Sequence, residues 1–319
     1  SCPLACGLAT CFMKQVAKPQ AKGQEVLVKV MTTAATTADT MLRTGKPYFG
    51  RLFTGLRRPK KPIPGTGFAG VVEQVGPDVS AFQPGDRVFG ETLFGFSANA
   101  EYLTVAEQGV ILPMPDNLNF AEAASFCDGH LTSYNFLKRL ARIQPGQRVL
   151  INGAAGALGT SAVQLAHYYG AHVTAVCSGH NAGLVQALGA DVVIDYHNRD
   201  FTQGPEQYDI IYDAVGKSTF RACKKVLKEG GKYLTPVLKL PLLWQMLVHA
   251  RASKQPKFEA TGTNSADTLR TLLAEVVEIF QAGGLKTVID RQFALENLAE
   301  AHRYIDGGHK KGNVVIVNV

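Results

Sequence analysis

At 319 residues the chain is longer than one small core sustains, so two domains are expected, and with 46% hydrophobic and 18% charged residues it reads as globular rather than disordered. The net charge of +7 comes from lysines and arginines that look dispersed along the chain, with no aromatic-and-basic reader module, which argues against nucleic acid as a partner. No uninterrupted apolar run of about 18 residues occurs, so no membrane span is expected, and no basic segment precedes the first apolar stretch as a signal peptide requires.

Cys2, Cys6 and Cys11 crowd the start of the sequence, but without a C-x-x-C pair or a nearby His they make a poor metal knot, and no metal is expected. Cys127, Cys177 and Cys223 lie singly in or beside apolar runs, which suits buried reduced thiols and a cytoplasmic location. From Glu25 to Val105, short β-branched runs such as VLVKV, GVVEQV and RVFG are broken by Gly and Pro, which predicts a small twisted β domain or barrel. Within it, Arg51 to Lys61 reads as a solvated basic loop; a phosphate-guiding or substrate-guiding rim is the sharper reading. Leu118 to Leu140 is predicted helical.

The next stretch organises the rest. In RVLINGAAGALG (Arg148 to Gly159) an apolar strand runs into Gly153, Gly156 and Gly159 and then into Thr160 to Tyr169, which is apolar at helical spacing. A strand, a tight glycine turn and a helix N-terminus let a pyrophosphate approach the backbone and meet free N–H groups and the helix dipole. Strand-like and helix-like runs then alternate: His172 to Ser178, Asn181 to Leu188, Val192 to Tyr196, Tyr208 to Asp213, Ser218 to Leu227 and Lys232 to Val237. That alternation predicts an α/β fold with a doubly wound parallel sheet, whose ligand sits at the strand carboxyl ends near Gly153, Ser178, Tyr196 and Gly216. LKLPLLWQMLVHA presents Leu242, Leu243, Met246, Leu247 and Ala250 on one helical face, read as core or subunit contact, with a lid over a hydrophobic pocket as the alternative. Helices over Ala266 to Gln281 and Leu295 to Ile305 and a strand over Val314 to Val319 close the chain.

Taken together, PGTGFAGVVEQVG (Pro64 to Gly76), PGDRVFG (Pro84 to Gly90), PGQRVLINGAAGALGTSAVQLA (Pro145 to Ala166), LGADVVIDY (Leu188 to Tyr196) and YDAVG (Tyr212 to Gly216) resemble the medium-chain dehydrogenase/reductase superfamily, and most closely its zinc-free quinone oxidoreductase branch related to zeta-crystallin. The resemblance implies a Rossmann sheet over residues 123–262 and a GroES-like β-barrel formed by residues 1–122 and completed by 263–319. It also implies a site for NADPH and for a quinone or α,β-unsaturated carbonyl. The positions that bind zinc in zinc-dependent relatives are here Thr36, Thr66 and Asp128, a poor donor set for a metal that prefers thiolate and imidazole. CDGH (Cys127 to His130) replaces small apolar residues of the family pattern.

Cofactor contacts are expected from Thr132; from Gly153, Gly156, Ala157, Leu158 and Gly159 of the turn; and from Ser178, His180, Asn181, Tyr196, Val215, Gly216, Val237 and Lys311. NADPH is expected over NADH because Thr160 to Ala190 holds no carboxylate for the ribose hydroxyls. Ser178, His180 and Asn181 resemble the S-x-R-N stretch of NADPH-using relatives, with His in the Arg place; Lys310 or Lys311 of the tail is the alternative source of charge. Without zinc, a proton donor is sought among Tyr48, Thr36, Asp128 and His130, each of which has an ordinary packing role as its alternative. Two other functions compete: a non-catalytic NADPH-binding sensor or structural protein, and a zinc alcohol dehydrogenase. A homodimer is expected, with Lys257 to Asn264 as the edge strand.

Overall fold

The computed structural model describes residues 4–6, 11–39, 63–93 and 97–318. Cys2, Tyr48, the basic loop Arg51 to Lys61 and Val319 lie outside the described residues. The chain divides into two compact units: Ser1–Asp128 with Ser265–Ala274 and Thr287–Val319, and Gly129–Asn264 with Glu275–Lys286.

In the first unit, β1 (Leu4–Cys6) pairs with β2 (Cys11–Met13) as an antiparallel ribbon. β3 (Glu25–Ala35), β4 (Gly67–Val75), β5 (Arg87–Glu91), β6 (Tyr102–Ala106) and β7 (Val110–Pro113) belong to one antiparallel meshwork around the long β3. Val26, Val28 and Val30 recur at period two on β3 and bury themselves with Phe68, Val72, Val88, Leu103 and Ile111, so alternation in the sequence becomes the core. After β7, α1 (Phe120–Ala124) opens on a capping box in which Asn119 and Glu122 exchange hydrogen bonds. The helical path expected over Leu118 to Leu140 then widens twice, into π-helical turns over Phe126–Leu131 and Asn135–Ala141 on either side of the short α2 (Thr132–Tyr134).

The second unit carries β8 (Arg148–Asn152), α3 (Ala157–Tyr168), β9 (His172–Cys177), α4 (Ala182–Ala187), β10 (Val192–Asp195), β11 (Tyr208–Asp213), α5 (Phe220–Cys223), β12 (Leu227–Thr235), α6 (Leu240–Val248) and β13 (Gln255–Phe258). Its six strands are all parallel and ordered β10-β9-β8-β11-β12-β13, the doubly wound arrangement whose switch point falls between β8 and β11. Val149, Leu150 and Ile151 are fully buried, as a strand covered on both faces demands. At the switch point Asn152 Nδ2 donates to Asp213 Oδ1 (2.9 Å), while Ser218 N (2.8 Å) and the Tyr233 hydroxyl (2.9 Å) donate to Asp213 Oδ2. The fully buried carboxylate therefore ties β8, β11 and β12 together where a ligand belongs.

Three expectations are corrected here. The helix read over Ser218 to Leu227 shrinks to α5, because β12 begins at Leu227; its Gly230–Gly231 pair, with Gly230 at φ 79°, accommodates a shift in register against β11 that lets the strand run on. The edge strand read over Lys257 to Asn264 is Gln255–Phe258 instead. It stops because Glu259 turns to accept hydrogen bonds from Asn135 (2.8 Å), Asn264 (2.7 Å) and Arg139. On α6 only Leu242 is buried, with Met246 packed beside it, so the expected core face is largely open to solvent.

The chain continues through α7 (Ala266–Gln281), β14 (Ile289–Ala294), α8 (Leu298–Asp306) and β15 (Asn313–Val317). β15 pairs antiparallel with β3 and parallel with β14, which extends the sheet of the first unit to seven strands. Leu298, Ala301 and Ile305 of α8 pack onto Val314 and Ile316.

Candidate cofactor turn and acid cluster

Three glycines of the turn do three different things. Gly153 stands at φ 81°, and a Cβ on it would meet Val215 Cγ1 at 2.5 Å. A Cβ on Gly159 would stand 2.1 Å from the Gly153 carbonyl oxygen, so Gly159 is what lets α3 close onto the end of β8. Gly156 has ordinary angles (φ −80°, ψ 179°), and its Cβ would have only the Gly153 oxygen near it, at 3.5 Å. Nothing in the fold requires glycine there, so its bareness keeps space open over the turn. Gly156 is also the N-cap of α3 and no side chain caps that helix, leaving the first-turn N–H groups of Ala157, Leu158 and Gly159 without intrahelical partners. Ala157, in the place of a second glycine, is buried within the helix. The Ser133 hydroxyl donates to Leu158 O (2.8 Å) and pins the helix that also carries Thr132 against the turn.

At the neighbouring strand ends, the Ser178 hydroxyl and His180 Nδ1 are 2.9 Å apart on the surface, and buried Asn181 has no protein partner for its Oδ1. Tyr196 is half exposed, its ring 4.3 Å from that of His197. Gly216, at φ 65°, brings the chain so close to Val237 that a Cβ would meet it at 2.6 Å, and Val215 stays exposed. One residue here escaped the sequence reading: a Cβ on Gly179 would stand 2.6 Å from Asp195 Oδ2. Asp195 accepts from His197 N (3.0 Å), His197 Nδ1 (2.9 Å) and Asn198 Nδ2 (3.2 Å), and the His197 backbone N–H above all holds its carboxyl below the usual range. The carboxylate absent from Thr160 to Ala190 thus arrives on the next strand, where Asp195 pairs with Cys177 in register. Reading strand register, rather than distance along the chain, is the signal that finds it.

The first unit gathers a second cluster. Asp39 is 1% exposed; its Oδ2 accepts from Thr36 N (2.9 Å) and the Thr36 hydroxyl (3.1 Å), and its Oδ1 accepts from Gly65 N (3.0 Å). Burial outweighs those bonds and pushes its carboxyl up to about 6. The Thr36 hydroxyl is thereby committed to Asp39. Glu91, at the end of β5, is pushed up to about 7 by burial and by the nearby charges of Asp128 and Asp39, and its carboxyl bonds to Thr66. Asp128, on the first π-helical turn, is raised by burial and lowered by the ammonium of Lys310, which lies in the field of Asp128, Asp290 and Asp39. Lys310 therefore serves this acid cluster. Lys311 is exposed, and its backbone N–H donates to Asp290 (2.8 Å). His130 belongs to the second unit, is 1% exposed, and is held neutral by burial, with its imidazole down at about 4. Cys127, Cys177 and Cys223 are buried thiols outside any disulfide among the described residues.

Stability against pH follows from these shifts. Glu91 and Asp39 titrate higher folded than their ordinary values of 4.5 and 3.8, so the native state holds protons the unfolded chain has lost, and stability falls as pH rises towards 7. His130 acts oppositely, because its folded value lies below 6.5, and it adds stability as pH climbs from about 4 to 6.5. The two offset below pH 6.5, and the carboxylate slope is left alone above it. Thermal unfolding should therefore show Tm declining between pH 6.5 and 7.5, with Glu91→Gln flattening the decline; a wild-type Tm that rises over this window contradicts the assignment.

Residues 22–116 match the alcohol dehydrogenase GroES-like domain family, and residues 188–316 match a zinc-binding dehydrogenase family. The chain is 34% identical over 312 residues to 2-methylene-furan-3-one reductase of Solanum lycopersicum, covering 94% of this chain and 74% of that protein. It is 32% identical to the chloroplastic NADPH-dependent alkenal/one oxidoreductase of Arabidopsis thaliana, over 93% of this chain and 73% of that one. Among solved structures, the quinone oxidoreductase from Coxiella burnetii superposes with a TM-score of 0.87 at 25% identity, covering 99% of this chain and 98% of the other. The family description names zinc, and the residues do not suit it. The positions that the family resemblance assigns to zinc ligands, Thr36, Thr66 and Asp128, offer two hydroxyls and one carboxylate, and among the described residues no three His, Cys, Asp or Glu side chains gather to hold a metal.

Proposed function

The chain belongs to the quinone oxidoreductase and alkenal/one reductase branch of the medium-chain dehydrogenase/reductase superfamily, and from that premise we propose that it reduces quinones or α,β-unsaturated carbonyls with NADPH and without zinc. The observation that carries the reading is the uncapped, open turn at Gly156, shaped for a pyrophosphate. When bound, reduced nicotinamide would supply the hydride that the electron-poor carbon of the substrate requires. The chain's own residues bind, orient and protonate. The first-turn N–H groups of Ala157, Leu158 and Gly159 would hold the pyrophosphate. Thr132, Val215, Gly216 and Val237 would border the dinucleotide, and Tyr196 would cover the adenosine.

Asp128 donates the proton that the reduced substrate requires, because burial keeps its carboxyl protonated to higher pH while Lys310 keeps it from rising out of range. Thr36 positions Asp39, and neutral His130 is a buried packing residue. A quinone or enone asks for little more, since the developing enolate-like oxygen needs only modest stabilisation. The open edge of β13 supports a homodimer.

For the cofactor, Ser178, His180 and Asn181 favour a 2′-phosphate, while Asp195 beside Gly179 limits the preference. We expect kcat/KM to be higher with NADPH than with NADH, and His180→Ala to narrow the ratio by roughly tenfold, the scale of one charge-assisted hydrogen bond. Equal or better use of NADH by the wild type sinks this part. The function itself is tested by following loss of reduced-nicotinamide absorbance with a panel of quinones, enones and saturated aldehydes. Quinones or enones should turn over fastest; turnover confined to saturated aldehydes, or none at all, would reject the reading.

A further inference from the structure

Helix α6 buries Leu242 in the cluster of Phe220 and Tyr233, packs the half-buried Met246 beside it and turns the rest of its apolar residues outward. Leu240 is 67% exposed, Trp244 69%, Leu247 75% and Val248 57%, with Leu243 exposed beside them. Five large apolar side chains on a nine-residue helix form a contiguous patch, not the isolated surface leucines that folded proteins tolerate.

The charges around this helix are as uneven as its hydrophobicity. Residues 217–257 hold ten lysines and arginines against a single acid, Glu229, a net charge of +9 along that stretch in a chain whose total is +7. The cations taken as dispersed are in fact concentrated here, and the remainder of the chain is net negative. Lys239, Lys224 and Arg251 stand by the ends of the apolar helix. At its start the Lys239 ammonium donates to Ser218 O (3.2 Å), and at its end Lys224 Nζ stands 3.2 Å from His249 Nε2, with Arg251 exposed just beyond. Lys217 and Arg221 are exposed as well, and Lys225 is exposed while donating to Gln203; Lys254 is engaged with Glu229 at 3.4 Å and Lys228 with Asp209 at 2.8 Å.

We propose that α6 is an interfacial docking site for a membrane surface containing anionic phospholipids. The outward leucines and Val248 enter the boundary between headgroups and acyl chains, and Trp244 sits at headgroup level with its ring apolar and its indole N–H wet. The flanking lysines and arginines meet the lipid phosphates. The helix is far too short to span, and no helix among the described residues is long and apolar enough to do so, so it lies in the plane of the surface. Apolar burial and charge attraction are the two signals that reversible membrane binding needs. The inference stands apart from the reductase reading, since docking requires no turnover; its consequence for that reading is access to substrates dissolved in lipid.

The chain supplies its own probe, because Trp244 is its only tryptophan. Intact protein is titrated with vesicles of phosphatidylcholine alone and of phosphatidylcholine with phosphatidylglycerol, reading tryptophan emission and co-sedimentation. The expected result is a blue shift and pelleting with the anionic vesicles, weak binding to the neutral ones, and loss at high salt. Leu243→Glu with Leu247→Glu should lower partitioning at least about tenfold while reductase activity towards a water-soluble quinone is kept. Lys224→Glu with Arg251→Glu should also weaken it. Absence of shift and pelleting overturns the proposal, as does equal binding to neutral vesicles. A blue shift that grows with protein concentration in the absence of lipid overturns it too, by assigning the patch to a second copy.

Discussion

Gly156→Val should abolish NADPH binding, with affinity weakened at least about a hundredfold, while the protein stays folded. A hundredfold loss corresponds to about 2.7 kcal/mol, which one branched side chain placed where a pyrophosphate must lie readily exceeds. Valine adopts φ −80°, ψ 179° without strain, and its Cβ would meet nothing closer than the Gly153 oxygen at 3.5 Å, so the fold has no reason to object. Gly159→Ala makes the contrast, since its Cβ would lie 2.1 Å from that same oxygen and the turn itself would have to shift. Binding titrations beside circular dichroism separate the two. A folded Gly156→Val protein with unchanged NADPH affinity would remove the turn from the site.

The second large effect concerns the proton. Asp128→Ala should lower kcat for a quinone or enone by about a hundredfold or more, within the range of general acid catalysis, with NADPH affinity unchanged. Asp128→Asn should be nearly as slow, because an amide keeps the shape but has no proton to give. The basic limb of the kcat profile should follow Asp128: the rate falls as pH rises and the carboxyl ionises. Lys310 lowers that carboxyl, so Lys310→Met should move the limb to higher pH. A merely structural Asp128 would leave the limb in place. Wild-type kcat in Asp128→Ala would return the role to another group.

What could be read in the sequence was whatever depends on local spacing. β8, its glycine turn and α3 follow from RVLINGAAGALG, and α7 occupies the whole of Ala266 to Gln281 because its apolar residues keep helical period throughout. What could not be read depends on contacts far apart in sequence. Asp195 reaches the Gly179 turn only through the pairing of β10 with β9, and Lys310 meets Asp128 only after β15 returns to the sheet of β3. The apolar face of α6 was legible as a face, but periodicity is blind to whether anything covers it. The switch-point carboxylate Asp213 was visible only as part of YDAVG; its bond from Tyr233 needed the order of strands β8, β11 and β12.

The most direct test of the central claim is turnover by metal-free protein. The chain, treated with a strong chelator and shown by elemental analysis to hold no stoichiometric zinc, is mixed with NADPH and a quinone or enone, and the loss of reduced cofactor is followed. Thr36, Thr66 and Asp128 predict a rate equal to that of the untreated protein. A rate that disappears on chelation and returns with about one zinc per chain would contradict the account.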